Sequence, residues 1–465
     1  MKLLLCFLSL LAFSLAAHAE LPASVVAALA QAGIPQSNVS IYVQPVDSAT
    51  PTISHNATKA MNPASLMKLV TTFAALDILT PAYRWKTEVY RDGEVKQGEL
   101  YGNLILKGYG DPSFDAARFW RLLMALQQAG ITQVKGDFII DKTHFAEQTQ
   151  AKQPFDDEIW RAYNAMPSAF LVNGRHTSFK FAAENGAVTI NQEFELPQIK
   201  IINRMQVKAG ACDNWRQDLR YVVKPLGENV QVTFDGTLPS ACDVRYMELS
   251  VLDDTHYAFY SFKKLWAQLG GTFNGRLVVK AKPENATLVM THQSSALGDV
   301  IRDINKWSNN LMARQLLLTL AAEKNGIPAI EAEGATVIKQ SLMQHGLTID
   351  NLVMDNGSGL SRSGRVTAQQ LGQILVMAYA SPVMPEFMSS LSIIGLDGTA
   401  KNRLSSSSMQ GRAHLKTGSL DGVSSIAGYL INKKNQRLIM VMMVNDAKAY
   451  LSRTAQDALM RAIAE

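Results

Sequence analysis

A hydroxyl and an amine stand three positions apart at the head of an apolar run. The stretch "NPASLMKLVTTFAALDIL" begins at Asn62 and carries Ser65 and Lys68. On a helix, positions i and i+3 share one face, so Lys68 reaches the Ser65 hydroxyl. A serine hydroxyl is a weak nucleophile until a base takes its proton. A lysine is such a base only when uncharged, and burial or a neighbouring positive charge lowers its pKa. Free N–H groups at a helix start also favour negative charge developing there. The plainer reading of the pair is the polar first turn of a buried helix.

Two later stretches supply complementary groups. "SNN" at Ser308, Asn309 and Asn310 lies between two helical patterns. Its outer residues offer a hydroxyl to move protons and an amide to hold a carbonyl; alone, they also fit a capped interhelical turn. "KTGS" at Lys416, Thr417, Gly418 and Ser419 falls on an expected strand. Lys416 would attract a substrate carboxylate, Thr417 would hydrogen-bond it, and Gly418 would let a peptide backbone lie close. An ordinary strand end has the same composition. Together and in this order, the three stretches match the trio of penicillin-binding proteins and class A β-lactamases.

The elements that must position these groups are legible in outline. "LPASVVAALAQAG" reads as a short helix and "NVSIYVQPV" as a strand; a helix over about 63–79 starts at Pro63 and stops before Pro81. Residues 86–291 change texture to short alternating runs with Gly and Asn-Gly punctuation, the signature of hairpins. Helical patterns interrupt them only near 116–129 and 256–269. Helices return from about residue 295. Three strands then precede a closing helix from about Lys448. The expected fold is α/β (α+β): an antiparallel sheet flanked by helices, formed by residues 20–85 and 292–465. A β-rich insert of two subdomains, the inner one at roughly 160–245, interrupts it.

Bulk properties narrow the function. The 465 residues are 47% hydrophobic and 18% charged, with a net charge of +5, as in an ordinary globular protein of two or three domains. The positive residues are scattered, which excludes a nucleic-acid footprint. The mild basic balance suits an anionic polymer or membrane surface. Eight histidines form no zinc-binding pattern, so neither metal nor organic cofactor is expected. Residues 1–19 combine Lys2, an apolar run and small residues at Ala17 and Ala19, the pattern of a secretory segment cleaved after Ala19. Cys6 would leave with it. No stretch is long enough for a membrane anchor. In an exported chain Cys212 and Cys242 would pair, stabilising by about 3 kcal/mol in the chain-entropy model. The alternative is two unrelated buried thiols.

In "ASLMKL", "WSNNLMA" and "HLKTGSLDGV" the chain resembles the low-molecular-mass class C penicillin-binding proteins. These are the D-alanyl-D-alanine carboxypeptidases/endopeptidases of the S13 peptidase family, and the resemblance covers essentially the mature chain. "GYGDPSF" (108–114) and "DNGSGLSR" (355–362) resemble further family stretches, and the cysteine pair is familiar there. Ser65 and Ser308 are 243 positions apart (308 − 65), room for the family's large insert and far more than a class A β-lactamase carries. One departure is Asn309, where an acidic residue is frequent; with Ser308 and Asn310 kept, activity is expected to survive.

The resemblance implies a periplasmic serine DD-peptidase acting on peptidoglycan peptides through an acyl-enzyme, with β-lactams as inhibitors. It assigns Ser65 as nucleophile, Lys68 as base, Ser308 as proton relay with Asn310 and Lys416, and the Ser65 and Ser419 N–H groups as oxyanion donors. Thr417, Gly418 and Ser419 would hold substrate. Asp157, in "PFDDEIW", would select a substrate ammonium from the insert; an exposed loop acid is the competing reading. A homodimer and peripheral association with membrane or wall are compatible with it. The rival functions are an exported β-lactamase and a non-catalytic wall-binding protein.

Overall fold

The computed structural model describes residues 20–147 and 155–465, so the expected export segment, with Cys6, lies outside the described residues. A six-stranded antiparallel sheet joins the two ends of the chain. Its order is Ser392–Ile393, Ala413–Leu420, Val423–Ile431, Arg437–Asn445, Val39–Pro45 and Ile53–His55. The early strand Val39–Pro45 pairs with Arg437–Asn445 in continuous register, Val39 opposite Val444 and Pro45 opposite Leu438. "RLIMVMMVN" is apolar throughout because both faces of this sheet are covered. Met440, Met442 and Val444 pack with Val25, Leu29, Leu459 and Met460 of the helices Ala23–Ala32 and Arg453–Ala464. Ile439, Val441 and Met443 join the core on the other face.

That second core is built around the helix Met67–Leu79. Every residue from Met67 to Leu76 is buried, as expected of a helix apolar on all sides. Around it stand the helices Leu297–Lys306, Asn310–Asn325, Glu331–Gln344 and Ala368–Ala380. The core draws only on residues before Val89 and after Gln293, with Trp85 and Leu297 nearest the junctions.

The intervening residues form a core of their own, from Val89 to Trp266. It joins a six-stranded sheet, edged by Arg220–Leu226 and Arg245–Leu249, to sheets of four and five strands. Asp115 and Asp253 cap its helices Ala116–Gln128 and Asp254–Gln268 by accepting from Arg118 N and His256 N. Asn185 and Gly186, at φ 51° and 77°, turn a tight hairpin. Local pairing is not the whole pattern: Ile199–Lys208 runs parallel to Asn229–Pro239 over ten residue pairs, with Arg220–Leu226 on the outer edge. Cys212 and Cys242 are disulfide-bonded. Small apolar contacts, among them Leu171 and Ala165 against Leu311, seat the insert on the helix that carries Asn310.

Candidate active site

The turn before the central helix is shaped by side chains far away in sequence. Ser65 sits in a 3-10 turn, Ala64–Leu66, rather than in the α-helix, which begins at Met67. Ala64 has φ 48°, a left-handed conformation that an alanine adopts only under constraint. The constraint is visible. Asn62 accepts from Ala64 N at 2.9 Å, donates from Nδ2 to Ser361 O, and exchanges hydrogen bonds with Asn445. Gly359 presses from the other side; a Cβ there would lie 1.9 Å from Ala64 O. "DNGSGLSR" thus clamps the turn that carries Ser65.

Lys68, one helical turn on, is fully buried. Its Nζ donates to Ser65 Oγ at 3.0 Å, Asn310 Oδ1 at 2.6 Å and Ser358 O at 2.6 Å. Burial holds its pKa well below the ordinary lysine range, and the nearby Lys416 lowers it further. Both effects favour the uncharged amine, the form able to accept a proton from the Ser65 hydroxyl beside it.

Ser308 joins two helices almost without a linker. It follows Leu297–Lys306 and has φ 59°, reversing the chain. Asn309 then caps Asn310–Asn325, its side chain accepting from Met312 N at 3.0 Å. Asn and Asp serve equally well as caps, which gives the departure at Asn309 a physical account. Asn310, on the first helical turn, faces Lys68.

On the neighbouring strand, Lys416 is also fully buried. Its Nζ donates to Ser308 Oγ at 2.9 Å and to Thr417 O at 2.6 Å, and burial brings its pKa down to about 7. Gly418 lies directly against the nucleophile turn. A Cβ there would come within 2.9 Å of Ser65 N and 2.3 Å of Ser425 Oγ, which itself donates to Pro63 O. Any side chain at Gly418 would push strand and turn apart. Thr417 is half-buried and donates to Thr399 Oγ1 at 2.8 Å; Ser419 is exposed.

Ser65, Lys68, Ser308, Asn310, Lys416 and Gly418 thus come from elements up to hundreds of positions apart and meet through these contacts, with Thr417 and Ser419 flanking Gly418 on its strand. Asp157 does not join them. It is exposed, and no hydrogen bond of its side chain is found among the described residues. The loop around it is nevertheless near. The Phe155 ring lies 4.5 Å from the Arg362 guanidinium, and both line a cleft of about 1000 Å³ that Asp157 does not line. Asp156, its neighbour, is held inward by Tyr163 and Asn164. Residues missed by sequence reasoning are Ser358, which acts through its carbonyl, and Thr399, whose "GLDGTA" context reads as a plain turn. Among the described residues no His/Cys/Asp/Glu group could hold a metal ion, and no helix is long and apolar enough to cross a membrane.

Comparison with known proteins gives the family. The family model described as D-Ala-D-Ala carboxypeptidase 3 (S13) matches residues 21–465. The D-alanyl-D-alanine carboxypeptidase DacB of Haemophilus influenzae is 26% identical over 414 residues, covering 88% of this chain and 85% of that protein. A D-alanyl-D-alanine carboxypeptidase of an Actinomadura species is 26% identical over 439 residues, covering 90% of this chain and 80% of its own. The crystal structure of penicillin binding protein 4 (dacB) from Haemophilus influenzae superposes with a TM-score of 0.78 at 24% identity, over 95% of this chain and 99% of that one. A match from residue 21 to the last residue is sufficient: the protein belongs to the D-Ala-D-Ala carboxypeptidase 3 (S13) peptidase family.

Proposed function

We propose that the protein hydrolyses peptides ending in D-Ala-D-Ala, and cross-links of the same stereochemistry in peptidoglycan, with Ser65 as nucleophile. A stem peptide lies along Ala413–Leu420 with its terminal carboxylate at Thr417, near the Lys416 charge. Ser65 Oγ attacks the penultimate carbonyl while Lys68 takes its proton. The oxyanion faces the N–H groups of Ser65 and Ser419, where one donor is worth about 3 kcal/mol of transition-state stabilisation. The Ser308 hydroxyl gives its proton to the departing amine and is resupplied by the Lys416 ammonium. In the second half water attacks the ester. Its proton returns through Ser308 to Lys416, and Lys68 hands its proton back to Ser65. Each lysine ends as it began, and no external acid or base is consumed.

The observation that carries this reading is the paired contact of two buried lysines with two serines: Lys68 Nζ to Ser65 Oγ at 3.0 Å and Lys416 Nζ to Ser308 Oγ at 2.9 Å. β-Lactams, which also present a carboxylate beside a strained amide, acylate the same oxygen. The substrate lies outside the cytoplasm, consistent with the export pattern of residues 1–19. Residues 20–85 and 292–465 form the catalytic unit and 86–291 the insert, a division supported by their separate cores. Treating purified peptidoglycan with wild type and with Ser65→Ala tests the reading. Wild type is expected to remove pentapeptides, cross-linked dimers, or both. The variant is expected to leave muropeptides unchanged. Equal digestion by both proteins would remove Ser65 from the mechanism.

A further inference from the structure

Thr417 carries the hydroxyl that the reading above places at the substrate carboxylate, yet in the structure that hydroxyl is already engaged. It donates to Thr399 Oγ1 at 2.8 Å, across 18 positions of sequence. Thr399 is held there by construction. Its backbone N donates to Ser392 Oγ at 3.2 Å. Gly398, at φ 55°, is pressed so close that a Cβ would meet Ser392 Oγ at 2.3 Å and Lys306 O at 2.8 Å. Asp397 ties the loop to the helix leading into Ser308, accepting from Lys306 Nζ at 2.5 Å and Ile393 N at 2.6 Å. The loop is thus anchored to the helix Leu297–Lys306 and to the strand Ser392–Ile393, and the exposed Thr399 hydroxyl lies within hydrogen-bond distance of Thr417.

A hydroxyl has one proton and two acceptor lone pairs, whereas a carboxylate only accepts. When a carboxylate arrives, the Thr417 proton must turn towards it. The oxygen of Thr417 is then free to accept, and the Thr399 proton is the one placed to fill it. Chains of this kind strengthen each member by polarisation. We propose that Thr399 is a positioning residue for the terminal carboxylate, donating to Thr417 while Thr417 donates to the substrate. It makes the enzyme select peptides with a free C-terminal carboxylate over those that lack one. The inference rests on the reaction assigned above.

The test compares one D-Ala-D-Ala peptide as the free acid and as the terminal carboxamide. For Thr399→Val, kcat/KM on the free acid should fall about tenfold, mostly through KM, with a smaller fall on the carboxamide, whose uncharged oxygen is the weaker acceptor. Thr399→Ser should restore the free-acid value. Because Thr399 acts through Thr417, Thr399→Val added to Thr417→Val should cause no further loss. An equal fall on both substrates, or additive losses in the double variant, would overturn the proposal while leaving Ser65 chemistry intact. A wild type that releases no D-Ala from the free acid, or does not prefer it, would instead overturn the reaction assignment.

Discussion

Lys68→Met is expected to slow acylation of Ser65 by about 10³-fold, the range that general-base catalysis typically supplies. Methionine fills the same buried volume but offers no lone pair basic enough to take the serine proton. The native amine is suited to the task because its charged form is penalised twice, by complete burial and by Lys416. It is aimed by fixed acceptors, Asn310 Oδ1 and Ser358 O, which leave Ser65 Oγ as its third contact. The loss should appear in kcat, with KM for a D-Ala-D-Ala peptide nearly unchanged, since the carboxylate strand is untouched. β-Lactam acylation should fall in parallel. Single-turnover acylation kinetics read both, and a loss under about tenfold would exclude Lys68 as the base.

Lys416→Met is the second large effect, and it has a sign in pH as well as a size. Removing the relay and the carboxylate-attracting charge is expected to lower kcat/KM by about 10²-fold. It also removes one of the two causes that depress Lys68. The Lys68 pKa then rises, so the ascending acid limb of the acylation profile moves to higher pH. Stability responds too. Burial brings the Lys416 pKa down from the ordinary lysine value of 10.5 to about 7. Between those values the unfolded chain holds a proton that the folded protein has released. Stability therefore rises with pH across this window and is lost again as pH falls towards 7. Methionine cannot titrate, so the variant lacks this contribution. Urea unfolding at pH 7 and pH 10 should show a smaller gain for the variant than for wild type; an identical gain would mean that Lys416 keeps its proton in the fold.

What could be read from the sequence divides along a physical line. Ser65 and Lys68 are neighbours on one helical turn, so their contact follows from local geometry. The strand assignments rest on β-rich runs with tight turns, and the doubly covered sheet explains why the last of them has no polar face. The meeting of Ser308 with Lys416 is non-local. No propensity encodes it, and it was legible only because the order of three motifs matched a known trio. The left-handed backbone at Ala64 and Ser308 left no mark, since neither residue type advertises a positive φ. Ser358 contributes a carbonyl, which any residue would supply. The helix Glu331–Gln344 has a weaker local signal because Gly334 sits within it. That glycine is there for close approach: a Cβ would lie 2.2 Å from Leu317 O on the neighbouring helix. The parallel pairing inside the insert depends on contacts across an intervening strand, beyond any short window. The placing of Asp157 was open for a related reason. Its acidic neighbourhood was apparent, but which of three successive acids turns inward is decided by Tyr163 and Asn164, and they select Asp156.

The most direct measurement of the central claim is to incubate the folded chain with benzylpenicillin and locate the adduct by peptide mass mapping. One equivalent should be ester-linked to Ser65, and Ser65→Ala should carry none. A folded wild-type protein left unlabelled at saturating drug, or labelled at any other residue, would contradict the account.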